Sequence, residues 1–138
     1  MAVSTLDAPS VVRGAAVGAV LIVPAAVLSR LVTGDDADNP PAIVFVFFAL
    51  ILAGFVLAGW TAGTRPAAER RPVHPGAAAA AAAFAVVQTV GVVAVLASGD
   101  TPRWGSIIGN LLLATTCGAV GGLLATRAIE RRLTGGKP

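Results

Sequence analysis

No tyrosine, one cysteine and one histidine occur among 138 residues, and only 12% of the residues carry charge. A soluble domain carries about 25% charge, so the shortage excludes a soluble fold. With Cys117 alone there is no internal disulfide, and within an apolar run its thiol is expected to be inert. His74, without nearby cysteines or paired carboxylates, makes no metal site. Chemistry is missing in patterned form as well. The chain has no nucleophile elbow, phosphate-binding glycine loop or dinucleotide fingerprint. Its glycines fall inside apolar runs without the flanking Lys, Ser or Asp that phosphate chemistry requires. The expectation is a chain that is not an enzyme and takes no cofactor. Nucleic acid is not expected as a partner either, because a net charge of +3 is split between two clusters that membrane topology explains.

What is there is apolar. Hydrophobic residues make up 56% of the chain and the mean hydropathy is +0.83. Four runs, at about 11–32, 42–62, 76–97 and 106–126, are each close to the roughly 20 residues that a helix needs to cross about 30 Å of hydrocarbon. The alternation of about ten residues that marks a membrane β-barrel is absent. The fold class expected is therefore all-α, a four-helix integral membrane bundle occupying 1–138 as one domain. The first run is taken as a helix and not a signal peptide: Asp7 offsets Arg13, the run is long, and no A-x-A site follows. Pro24 at its middle is expected to kink it. Turn residues at Gly34–Pro41 and Ser98–Pro102 make both of those connections short, so successive helices should be antiparallel. Pro75 suits the first turn of the third helix.

Basic residues give the orientation. Eight of the ten fall in the N-terminal segment, the 64–75 loop and the 127–138 tail: Arg13; Arg65, Arg70 and Arg71; Arg127, Arg131, Arg132 and Lys137. Only Arg30 and Arg103 lie on the other side. The positive-inside rule then places both termini and the basic loop in the cytoplasm, and Trp60 and Trp104 fall near opposite water boundaries where indoles are favoured. Arg65, Arg70, Arg71, Arg127, Arg131 and Arg132 are read as topology determinants that anchor to anionic lipid headgroups, each worth about 1 kcal/mol near the surface.

From Gly14 to Ser29, Ala42 to Trp60, Gly76 to Ala97 and Ser106 to Thr126 no Asp, Glu, Lys, Arg or His occurs, which disfavours a proton pump, an ion-coupled carrier or an intramembrane hydrolase. Small residues at helical spacing take their place. Gly14 and Gly18, Gly59 and Gly63, Gly105 and Gly109, and Gly118 and Gly122 are GxxxG pairs, and Ala114 extends the last row by a turn. Such rows let helix backbones approach closely in lipid. The Ala77–Ala83 run offers lipid little bulk and is expected to be buried against helices. Gln88, Thr89 and Asn110, with Thr115 and Thr116, are candidates for hydrogen bonds across helices or for a polar pocket. A faint repeat relates the ends of the first and third runs, and of the second and fourth, as two hairpins about an axis along the membrane normal.

The stretch Ala53-Gly54-Phe55-Val56-Leu57-Ala58-Gly59-Trp60-Thr61-Ala62-Gly63, a basic loop, and then His74-Pro75-Gly76-Ala77 resembles the small four-helix YrzE-like membrane proteins of Gram-positive bacteria. Pro75 departs from the more usual His-Gly pair. The resemblance implies a fold and carries no activity with it. Richness in alanine, valine, glycine and arginine with a near absence of lysine resembles the composition of a high-GC actinobacterium, and a bacterial cytoplasmic membrane is the expected location. On these grounds the chain is expected to be a non-catalytic accessory subunit or assembly factor of a larger inner-membrane complex, respiratory or lipid-importing by analogy. It would dock on other membrane subunits through the faces of Gly14, Gly18, Gly59, Gly63, Ala114, Gly118 and Gly122. The alternative is a small oligomeric transporter or channel for a neutral or lipid-like substrate.

Overall fold

A computed structural model describes residues 7–33, 41–64 and 73–134. Among them the chain forms four helices and no strand: α1 (Ala8–Thr33), α2 (Ile43–Gly63), α3 (Val73–Ala97) and α4 (Trp104–Thr134). Each is long and apolar enough to cross a membrane. The protein is an all-α four-helix bundle.

Helix ends differ from the apolar runs for local reasons. α1 begins at Ala8, ahead of its run: the Asp7 carbonyl accepts from the Ser10 and Val11 N–H groups at 3.0 and 3.1 Å, and the Ser10 hydroxyl donates to the Asp7 carboxylate. α3 begins at Val73, since Pro75 in its first turn sacrifices no hydrogen bond. α4 starts when the Arg103 carbonyl accepts from Ser106 and Ile107 at 3.0 and 3.2 Å, and it runs on to Thr134. Pro24 lies on an exposed face of an α1 that is helical throughout.

α3 stops in a Schellman motif. The Asp100 N–H donates to the Val95 carbonyl and the Gly99 N–H to the Leu96 carbonyl, both at 3.1 Å, with Gly99 at φ +80°. Nothing lies within 4 Å of a Cβ added at Gly99, so a substitution there meets strain in the backbone alone. Gly99→Val is expected to lower stability by about 1–2 kcal/mol, read as a shift of the unfolding midpoint in a detergent titration. An unchanged midpoint would mean that the α3–α4 connection does not need its left-handed residue.

Packing contacts fix the helix order. Gly14, Gly18 and Ile22 of α1 meet Ala62, Ala58 and Gly54 of α2, an antiparallel register. Gly59 and Gly63 of α2 meet Gly118 and Gly122 of α4, a parallel one, and Gly76 and Ala80 of α3 meet Gly122 and Gly118, again antiparallel. The ring order is α1–α2–α4–α3, with α2 and α3 touching across the short diagonal and α1 and α4 held apart. The described chain thus starts and ends at one end of the bundle, called proximal here. The end of α1, the start of α2 and the α3–α4 connection lie at the other, distal end. Corresponding helices of the two hairpins stand side by side, whereas a two-fold along the bundle axis would set them across from each other.

The bundle changes character along its axis. Buried residues stop at Ala25 in α1 and at Phe84 in α3, and begin only at Gly54 in α2 and Ala114 in α4. All of them therefore belong to the proximal part of the helices. There, glycine and alanine bring backbones into contact. At mid-height Ile22, Phe55, Phe84 and Ala114 close the core, the two rings 6.3 Å apart and tilted by 49°. Beyond that layer the helices part.

Candidate functional site

The parting creates a crevice of about 580 Å³ at the distal end, over the gap that separates α1 from α4. Arg30 comes from the last turn of α1, Gln88 and Gly91 from α3, Asp100 and Arg103 from the α3–α4 connection, and Asn110 from the first turns of α4. Two apolar hollows lead off it. One, of about 330 Å³, runs as a furrow between α1 and α3. The other, of about 200 Å³, descends among all four helices onto Ile22, Phe55 and Phe84. Gln88 lines all three spaces, so they meet at one half-buried amide.

Arg30 carries charge at the C-terminal end of a helix, where the dipole favours a cation. Its reach is inward as well: a methyl placed on Gly91 would lie 3.7 Å from Arg30 Nη2, so the guanidinium rests against α3. Among the described residues neither Arg30 nor Arg103 is matched to a carboxylate. The Asp100 carboxylate accepts a hydrogen bond from the Ser98 hydroxyl at 3.4 Å. An opening with fixed positive and negative groups above apolar walls can bind a molecule that has a polar end and a hydrocarbon end.

The residues singled out in the sequence divide sharply. Gly14, Gly18, Gly59, Gly63, Ala114, Gly118 and Gly122 are all buried inside the chain's own bundle. A Cβ at Gly14 would meet the Ala58 carbonyl at 2.5 Å, and one at Gly63 would meet Gly122 Cα at 3.0 Å. These faces are spent on internal packing and leave no surface for a partner. Gly105 and Gly109, equally spaced on α4, have nothing within 4 Å of an added Cβ. Ala79, Ala80 and Ala83 of the alanine run are buried.

Gln88 and Asn110 come together at the crevice, but Thr89 does not join them: its hydroxyl donates to the Ala85 carbonyl of its own helix at 2.7 Å. Thr115 and Thr116 likewise return to α4, bonding the Leu111 and Leu112 carbonyls at 3.0 and 2.8 Å. The bonds across helices expected of these threonines are replaced by bonds to the preceding turn, which the helix always offers. Arg127, Arg131 and Arg132 are exposed on the proximal extension of α4, while Arg65, Arg70 and Arg71 lie outside the described residues. Trp60 and Trp104 are exposed at the proximal and distal ends respectively. Among the described residues no three His, Cys, Asp or Glu side chains are grouped to hold a metal.

Sequence reasoning passed over Arg30, Asp100 and Arg103. A signal was present, since Arg30 and Arg103 are the two basic residues on the side that the charge rule leaves poor in them. Gly54, Gly76 and Gly121 were passed over too, yet they are as tightly packed as any of the GxxxG glycines. A Cβ at Gly76 would meet the Gly118 carbonyl at 2.5 Å and one at Gly54 the Ile22 side chain at 2.6 Å. Their signal was a glycine four residues before an alanine, at Gly54/Ala58 and Gly76/Ala80.

The fold and this crevice define a class, a multi-pass all-α membrane protein with a closed end and an open one. The chain matches no family model, no curated protein and no solved structure.

Proposed function

We propose that this is a non-catalytic membrane protein that binds a lipid-like molecule in its distal crevice, as a lipid-binding protein or a small transporter. The observation that carries this reading is that buried residues stop at Ala25, Gly54, Phe84 and Ala114, with none beyond them toward the distal end among the described residues. A space left between helices within a bilayer is filled by something, because an unfilled gap forfeits contact on every wall. Size argues for a small occupant. Small-molecule pockets span about 300–1,000 Å³. Gln88 and Asn110, polar side chains within spans that face this space, are of the kind that marks ligand pathways. With the basic proximal end in the cytoplasm, the crevice opens to the outer side of what the composition makes a bacterial inner membrane.

The accessory-subunit reading is the second. It is favoured by the Gly105/Gly109 face, on which no helix of this chain packs. Purification of the tagged chain from its native membrane in mild detergent, with mass spectrometry of bound proteins and lipids, separates the two. The first reading expects the chain, alone or as a homo-oligomer, with about one amphiphile per copy. Stoichiometric recovery of a larger complex without such an amphiphile would replace it with the second.

A further inference from the structure

We infer that the occupant of the crevice is a glycerophospholipid of the adjoining leaflet, its phosphate held by Arg30 and Arg103 and one acyl chain lying in the furrow between α1 and α3. This rests on the proposed amphiphile site and gives its ligand a headgroup.

The crevice sorts polarity along the bundle axis in the order that such a lipid does. Arg30, Asp100 and Arg103 stand at the mouth. Gln88 lies one turn deeper than Gly91, the residue on which Arg30 rests, by about 4.5 Å along the helix. Val27 of α1 and Val90 of α3 stand beside these groups and Val23 and Val86 lie deeper, in a furrow whose walls are almost wholly apolar. Mouth and furrow share Arg30, Gln88 and Gly91. A single molecule can therefore occupy both without a break. Gly91 keeps this wall low: a Cβ there would stand in ordinary contact with the Arg30 guanidinium, 3.7 Å from Nη2.

Each level offers the donor that a phospholipid requires. Guanidinium forks match phosphate oxygens in a bidentate manner, and two of them without a described carboxylate partner face one opening. The amides of Gln88 and Asn110, where the polar crevice meets the apolar hollows, can donate N–H to ester carbonyls. The Asp100 carboxylate at the same mouth disfavours a purely anionic headgroup and suits an ammonium. Phosphatidylethanolamine fits all three levels.

The test is native mass spectrometry of the purified full chain after incubation with dioleoyl phosphatidylethanolamine or with dioleoylglycerol, which has the same chains and no phosphate. The parent is expected to retain one phosphatidylethanolamine and to hold dioleoylglycerol at least tenfold less. Arg30→Gln with Arg103→Gln is expected to cut phosphatidylethanolamine retention by ten- to thirtyfold, at about 1 kcal/mol per arginine and 1.4 kcal/mol per decade. The corresponding lysine pair is expected to restore part of it, and unchanged helical circular dichroism excludes misfolding as the cause. Equal retention of the two lipids, or retention indifferent to the arginines, would overturn the headgroup assignment and leave an amphiphile site standing. Retention of neither lipid would overturn the amphiphile site itself.

Discussion

Gly118→Val is expected to detach α4 from the bundle, at a cost of at least about 3 kcal/mol, while all four helices remain helical. Gly118 is the point at which three helices meet. A Cβ there would run into Ala80 Cβ and lie 2.5 Å from the Gly76 carbonyl oxygen, and Gly59 of α2 already sits against the Gly118 backbone from the other side. Overpacking a core costs about 1–3 kcal/mol when side chains can shift. Here most of the obstructing atoms belong to backbone, which no rotamer change moves, so the upper end of that range is the starting point. Relief must come from moving α4 off α2 and α3, with loss of the small-residue contacts on which association in lipid depends. Gly109→Val supplies the comparison, because it adds the same side chain to the same helix where nothing lies within 4 Å. Unfolding by detergent titration reads both. A Gly118→Val midpoint within experimental reach of the Gly109→Val midpoint would contradict the close packing.

Replacing Arg65, Arg70, Arg71, Arg127, Arg131 and Arg132 by glutamine is expected to destroy the orientation of the chain while leaving the bundle intact. The substitutions reduce the proximal side from eight basic residues to Arg13 and Lys137, equal in number to Arg30 and Arg103 on the distal side. At about 1 kcal/mol for each arginine near an anionic surface, the bias removed is on the order of 6 kcal/mol. Arg127, Arg131 and Arg132 are exposed on the extension of α4, outside the buried core. Cysteines introduced near each terminus, in a Cys117→Ser background, report orientation by their labelling with a membrane-impermeant thiol reagent. Dual or inverted labelling is the expected result. Labelling like that of the parent would mean that the six arginines serve something other than topology.

Much of the fold was legible because a membrane asks few questions of a sequence. Bilayer thickness is one length and helices are the simplest element that satisfies backbone polar groups within it, so apolar runs alone located four helices to within a few residues at most ends. Where an end moved, the cause was short-range hydrogen bonding, as at α1, which starts on the Asp7 carbonyl ahead of its apolar run. The helix formers of 127–133 carry α4 past its run to Thr134, as that segment's composition favours. Gly99 was readable as a turn residue and not as the left-handed member of a Schellman motif.

The sequence by itself determined that this chain enters a membrane as four helices, that its two ends differ in charge, and that small residues would bring backbones together. Only the tertiary structure decided which small residues those were. Gly118/Gly122 and Gly105/Gly109 have the same spacing on the same helix, yet the first pair meets Gly59, Gly63 and Gly76 and the second meets nothing. A spacing specifies a helix face but not what stands opposite it. The same holds for polar groups: Gln88, Asn110, Arg30 and Arg103 are scattered along the chain and unrelated in sequence, and they line one crevice because glycine packing draws the helices together at the proximal end and leaves them apart at the distal one.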